Sequence, residues 1–200
     1  MDIRSKRMLA AALLAAVVVP ATAADRSAGG LYGGIAGGRS EARDACEQFS
    51  AAFPGAACDR SGTGWRVTAG YQPLRFLAVE FEYARLGEAD AAATIGGATV
   101  QARARAEGVG VLVSGGFPAG DRLELFVKAG LFRWEAEAEA GASRVSDDGQ
   151  DPTFGLGARW RLQAPFWLTA EWRRYRDVGE RDVTGRSDVD LVTLGLELRP

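Results

Sequence analysis

The chain of 200 residues contains no histidine and no asparagine, and only two cysteines and two lysines. Without histidine, the usual general base is missing. So are the Ser-His-Asp and Cys-His nucleophile systems and most zinc and iron sites. Neither catalysis nor a bound metal or cofactor is expected. Charge of one sign is missing too: 24 basic residues face 26 acidic ones, for a net −2. Nothing therefore recommends nucleic acid as a partner. A long hydrophobic run is also absent. The apolar run at residues 9–19 has 11 residues, whereas a membrane-spanning helix needs about 20.

What is present argues for one folded domain. The chain is 47% hydrophobic and 25% charged, enough for a core and not the composition of a disordered tail. Arg4, Lys6 and Arg7 precede the apolar run, and Pro20 and Ala21-Thr22-Ala23 follow it. A basic start, a short apolar stretch and an A-x-A site predict a signal peptide at 1–23, with an exported domain at 24–200. Removal of the signal leaves 21 basic against 25 acidic residues and a single lysine, Lys128. Such a chain is either soluble after export or crosses a membrane as strands.

From residue 63 onward, apolar residues recur every second position. Trp65, Val67, Ala69 and Tyr71 alternate with Arg66, Thr68, Gly70 and Gln72. Leu77, Val79, Phe81 and Tyr83 alternate with Ala78, Glu80, Glu82 and Ala84, and four later stretches behave alike. The period is that of strands. Eight are predicted: 31–39, 63–72, 76–86, 99–116, 122–135, 152–163, 166–177 and 188–199. The connections alternate in length. Gaps at 40–62, 87–98, 136–151 and 178–187 are long; those at 73–75, 117–121 and 164–165 are short, and each holds a proline. Long loops at one end and tight turns at the other are the pattern of a transmembrane barrel. The expected fold is all-β: an eight-stranded antiparallel up-and-down transmembrane β-barrel. Alternation alone does not say which face is inside. A soluble periplasmic lipocalin-like carrier would turn the apolar face inward. The Gly- and Ala-rich polar face and the aromatics Trp65, Tyr71, Tyr83, Trp160 and Trp172 on the apolar face favour the membrane arrangement.

FVKAGLFRW at 126–134, LAVEFEY at 77–83, TAEWRRY at 169–175 and DLVTLGLELRP at 190–200 resemble the OmpA-like outer-membrane β-barrel family. The resemblance implies eight antiparallel strands, a polar filled lumen and exposed loops. It also implies outer-membrane localisation after export through the periplasm. The partners it implies are outer-membrane lipid, lipopolysaccharide and the outer-membrane assembly machinery, with a surface ligand reached through the loops. A monomer is expected. The family's larger members add a periplasmic peptidoglycan-binding domain, which is not expected here. The final strand departs from the family's closing signal, because Pro200 stands where an aromatic is usual.

Four groups of residues are candidate sites. Arg66, Glu80, Glu82, Glu124, Lys128, Arg159, Arg161, Glu171, Arg173 and Glu197 fall on the polar face and predict a luminal charge network. Eight strands leave room for little beyond side chains, so a static plug is expected; the alternative is a gate in a narrow porin-like channel. Cys46 and Cys58 predict a disulfide in an exported chain, against two free thiols. Arg103 and Arg105 with Glu135 and Glu137 predict a charge ladder above the membrane: with a turn centred on Gly120, Arg105 faces Glu135 and Arg103 faces Glu137. Glu-Ala repeats also suit a helix. Arg133 and Arg174 near the outer rim suit lipopolysaccharide phosphates or plain solvent. The acidic run 147–151 lacks the spacing of a calcium loop and reads as a solvated loop. The expected work is structural or surface-interactive, through the loops at 40–62 and 136–151.

Overall fold

A computed structural model describes residues 30–44, 46–47, 51, 57–95, 98–141, 143–179 and 186–199. The expected signal peptide and Pro200 lie outside these residues. Among the described residues nine strands form: β1 Gly30–Ala42, β2 Ala57–Asp59, β3 Ser61–Leu74, β4 Leu77–Ile95, β5 Ala98–Pro118, β6 Leu123–Ala140, β7 Ser143–Gln163, β8 Phe166–Val178 and β9 Ser187–Leu198. All except β2 belong to one closed antiparallel barrel. Each pairs with its sequence neighbour, and β1 pairs with β9 from Gly33↔Leu198 to Ala42↔Val189. Closure leaves the barrel wall without an edge, so its backbone groups are paired within hydrocarbon. β2 is a short piece of the β1–β3 connection laid on β4 at Asp90–Ala92.

The strand period decides what faces lipid. On β6, Leu125, Val127 and Leu131 point out and are half exposed, while Phe126, Lys128 and Phe132 between them are buried. The outward row is apolar all round the barrel, from Ile35 and Val67 through Phe81, Val111 and Leu156 to Leu194, which is 65% exposed. A soluble barrel would bury that row. This one exposes it and buries Arg66, Glu80, Glu82, Lys128, Glu171 and Arg173 instead, the inside-out pattern of a membrane barrel. The lipocalin-like carrier is therefore ruled out.

Two of the expected loops are strands. The gap at 87–98 is filled by β4 running to Ile95 and β5 starting at Ala98. The gap at 136–151 is filled by β6 running to Ala140 and β7 starting at Ser143. The acidic run 147–151 is accordingly part of β7. The physical reason is that alternation continues beyond the membrane with charge in place of apolar side chains. Arg103, Arg105, Glu137 and Glu139 occupy the outward positions, and cross-strand neutralisation keeps the hairpins paired. The Glu-Ala stretch is strand and not helix because a basic neighbouring strand lies within reach.

Candidate functional site: a filled lumen and a strand extension

The barrel interior is layered. At mid-height, β3 supplies Arg66, β4 Glu80 and Glu82, β6 Lys128, and β8 Glu171 and Arg173, all buried. Lys128 Nζ lies 2.7 Å from Glu80 and 3.2 Å from Glu171. Arg66 bridges Glu82 at 3.2 Å and Glu171 at 2.6 Å. Arg173 reaches Glu82 at 3.2 Å, and its Nε donates to Glu171 at 2.8 Å. Tyr32 donates its hydroxyl to Glu80 at 2.6 Å, and Tyr175 donates to Glu82 at 2.8 Å. Three carboxylates thus meet three cations. Buried ions need such partners, because an unpaired charge in this interior costs several kcal/mol. Glu171 is the hub, touching all three cations, whereas the ion pairs of Lys128 are with Glu80 and Glu171 and not with Glu82.

A second cluster closes the end that carries the short turns. Arg159 lies 3.7 Å from both Glu124 and Glu197, and Arg199 is 2.7 Å from Glu197. The Arg199 guanidinium stacks 3.7 Å from the Tyr32 ring centre, and Arg159 and Lys128 both lie over Phe126. Arg161 does not join either cluster, although the sequence predicts it there. It shares the inward parity of Arg159 but sits one step lower, at the mouth. There it is exposed, stacks near Trp167 and donates to the Asp121 carbonyl.

Above the charges lies an apolar layer that the sequence reading missed. Ala84, Leu86, Phe132, Trp134, Ala136, Tyr175, Val178, Val189 and Leu191 pack together inside the upper barrel. Phe132 and Tyr175 meet at 4.6 Å, and Trp134 donates its indole N–H to Asp151. The signal was the run FVKAGLFRW, which is apolar on both faces. Bulky inward rings also need glycine across from them. A Cβ on Gly70 would lie 2.2 Å from the Tyr32 ring, and one on Gly157 would lie 2.5 Å from Phe126.

The strand extension beyond the apolar belt carries the remaining candidates. Cys46 and Cys58 form a disulfide, which holds β2 close to the chain leaving β1. At the end of β2, the Ser61 amide donates to Asp59, joined by the Ser61 hydroxyl, and these bonds hold the Asp59 carboxyl below its ordinary value. In the ladder, Arg105 faces Glu137 and Arg103 faces Glu139, while Glu135 faces Glu107. The expected register is therefore displaced by two residues. Pro118 pairs with Glu124, so the turn centres on Asp121 and not Gly120. Arg105 donates to Glu137, and Arg103 turns to Asp90 at 3.0 Å on its other neighbour, β4. Glu137 and Asp90 raise the two guanidinium values above the ordinary one. Arg133 lies 3.5 Å from Asp148 and is widely exposed, whereas Arg174 is held at 2.7 Å by Asp190. Arg43 binds the same Asp190, also at 2.7 Å, tying the end of β1 to β9.

This architecture matches known outer-membrane proteins. Outer membrane protein A of Klebsiella pneumoniae is 27% identical over 148 residues, which are 70% of this chain and 41% of that protein. Its Yersinia pseudotuberculosis counterpart is 27% identical over 137 residues, 65% of this chain and 38% of that protein. The chain thus spans about two fifths of the length of these relatives. Among solved structures, Neisserial surface protein A superposes with a TM-score of 0.60 at 13% identity, covering 86% of this chain and 99% of that one. The N-terminal barrel domain of Pseudomonas aeruginosa OprF gives 0.53 at 12% identity, covering 84% and 96%. These likenesses show a shared fold. The sequence matches the outer membrane protein beta-barrel domain family over residues 9–199, so the chain belongs to that family and is a protein of the outer membrane.

Proposed function

We propose that this protein is a closed, non-conducting barrel without catalytic activity, whose work is done at the cell surface. The observation that carries this reading is the continuous filling of the lumen. Two charge clusters and an apolar layer succeed one another along its axis. A path for ions would have to break several buried ion pairs and also wet the layer of Phe132, Trp134 and Leu191. The interior carboxylates Glu80, Glu82 and Glu171 each face a cation, and none has a nucleophile-and-base arrangement beside it. By contrast, β4–β7 continue well beyond the apolar belt, as a paired sheet that presents charged rows to the outside. Such a sheet, with the disulfide-pinned segment beside it, suits contact with a surface ligand, with Arg133 at the rim near the lipopolysaccharide headgroups.

Two measurements test the reading. Purified protein in planar bilayers is expected to give no stepwise current, and a reproducible conductance would overturn the closed lumen. Ser143→Cys is expected to react with a membrane-impermeant maleimide on intact cells. Failure to label until the cells are lysed would place the extension on the wrong side.

A further inference from the structure

The extension has two margins, and they differ. At its β4 margin, β2 pairs with Asp90–Ala92. At its β7 margin, pairing with β8 stops at Thr153↔Tyr175, whereas pairing with β6 continues to Ala140↔Ser143. Residues 143–152 of β7 therefore have no strand on their outer side among the described residues. At about 3.3 Å per residue, this edge is about 30 Å long.

The register says which backbone groups face outward. The Arg161 amide donates to Arg122 on the β6 side, and the β6–β7 register runs without a shift from there to Ser143. Odd residues of β7 thus bond to β6, and even residues face the open side. The open groups are the amides and carbonyls of Arg144, Ser146, Asp148 and Gln150, all exposed residues, and the carbonyl of Pro152. The Asp148 amide is already satisfied by the Asp147 carboxylate at 2.9 Å. Pro152 has no amide to lose and stands at an even position, where its absence breaks no bond to β6. Residues 143–152 carry Asp147, Asp148 and Asp151 against one arginine, Arg144, and the facing stretch of β6 carries Glu135, Glu137 and Glu139 against Arg133.

We propose that the open edge of β7 from Arg144 to Pro152 is a strand-pairing site for an extended basic segment of another protein. The proposal rests on the surface-contact reading above and specifies its mode. The molecule itself shows that this sheet accepts an added strand, because β2 occupies the corresponding place on β4. The carboxylates choose the partner. A second copy would bring the same aspartates to the edge and be repelled, whereas alternating lysines would meet opposite charge.

The test uses the full chain in lipid nanodiscs and two synthetic peptides of equal charge, one alternating Lys and Val, the other alternating Lys and Pro. The Lys-Val peptide is expected to bind and to slow hydrogen exchange at the Ser146 and Gln150 amides. The Lys-Pro peptide, which lacks half the donors a ladder needs, is expected to leave them unprotected. Ser146→Pro with Gln150→Pro removes two outward amides and is expected to weaken Lys-Val binding about tenfold or more. Heat-dependent gel migration checks that this variant still folds. Equal binding of both peptides, no binding of either, or full protection of these amides before peptide is added would overturn the proposal. None of these outcomes alters the bilayer current or the surface labelling, so the closed-barrel reading stands or falls separately.

Discussion

Lys128→Met is the sharpest perturbation of the lumen, because Lys128 is the one lysine in the described barrel and its ammonium is fully buried. The substitution keeps the side-chain length and removes one charge. The mid-barrel set of Glu80, Glu82, Glu171, Arg66, Lys128 and Arg173 then changes from balanced to one negative charge in excess. Glu80 suffers most. Its remaining partner is the Tyr32 hydroxyl at 2.6 Å, while Glu171 still has Arg66 and Arg173. Removing one partner of a buried pair costs about 3–5 kcal/mol. Adding Glu80→Gln restores neutrality, and the new amide can still accept from Tyr32. The double variant should therefore be more stable than Lys128→Met alone, with a coupling of about 1–3 kcal/mol. Two further pairs give the ranking. Glu171→Gln on the Lys128→Met background should rescue less, because Arg66 and Arg173 lose their shared carboxylate. Glu82→Gln should not rescue at all, because the ion pairs of Lys128 are not with Glu82 and Glu80 stays stranded. Urea unfolding in lipid vesicles, followed by tryptophan fluorescence, measures each corner of the cycles. Additivity in all three, or equal rescue by all three carboxamides, would refute the assigned pairing.

Three other outcomes follow from the same geometry. Cys46→Ser with Cys58→Ser should free β2 from the edge of β4 and speed exchange at the Asp90 and Ala92 amides. The disulfide closes a loop with a sequence separation of 12, worth about 3 kcal/mol of local order in the chain-entropy model, but barrel stability should hold because no wall pairing depends on it. Gly70→Ala places a methyl 2.2 Å from the Tyr32 ring, so the ring must leave the Glu80 carboxylate. Unfolding in urea should show a loss of about 1–3 kcal/mol, largely absent when Tyr32→Phe is the starting background. Unheated protein in detergent should migrate differently from boiled protein on a denaturing gel, since a closed sheet has no edge from which to unravel; identical migration would argue against closure.

The fold was legible in the sequence because strand period and lipid exposure coincide. Wherever outward residues are apolar, as at Leu77, Val79 and Phe81, the predicted strand and the observed one agree closely. Where the chain leaves the membrane, outward residues become charged. At 87–98 and 136–151 loss of hydrophobicity is therefore not loss of strand. What persists there is alternation itself, with Arg103 and Arg105 opposite Glu139 and Glu137. Charge on every second residue next to a strand of opposite charge is itself a pairing signal.

The interior was half legible for a related reason. Parity fixes the side of the wall on which a residue lies, and it sent Arg66, Glu80, Lys128 and Arg173 inward. Height along the axis needs the register as well. Arg161 has the parity of Arg159 yet falls past the last luminal contact, because β7 reaches the short turn to β8 there. A turn centre misplaced from Asp121 to Gly120 moved the whole Arg–Glu ladder by two residues. Contacts across the lumen are further still from sequence order: Arg173 and Glu82 are separated by 91 residues. They meet because closure sets β4 and β8 across one narrow space. Side-chain size fixes the last degree of freedom. Tyr32 enters that space only because residue 70 is glycine, and from there it reaches Glu80. The charges on alternate positions thus announce a buried network, but the glycines opposite the large rings decide at what height it forms.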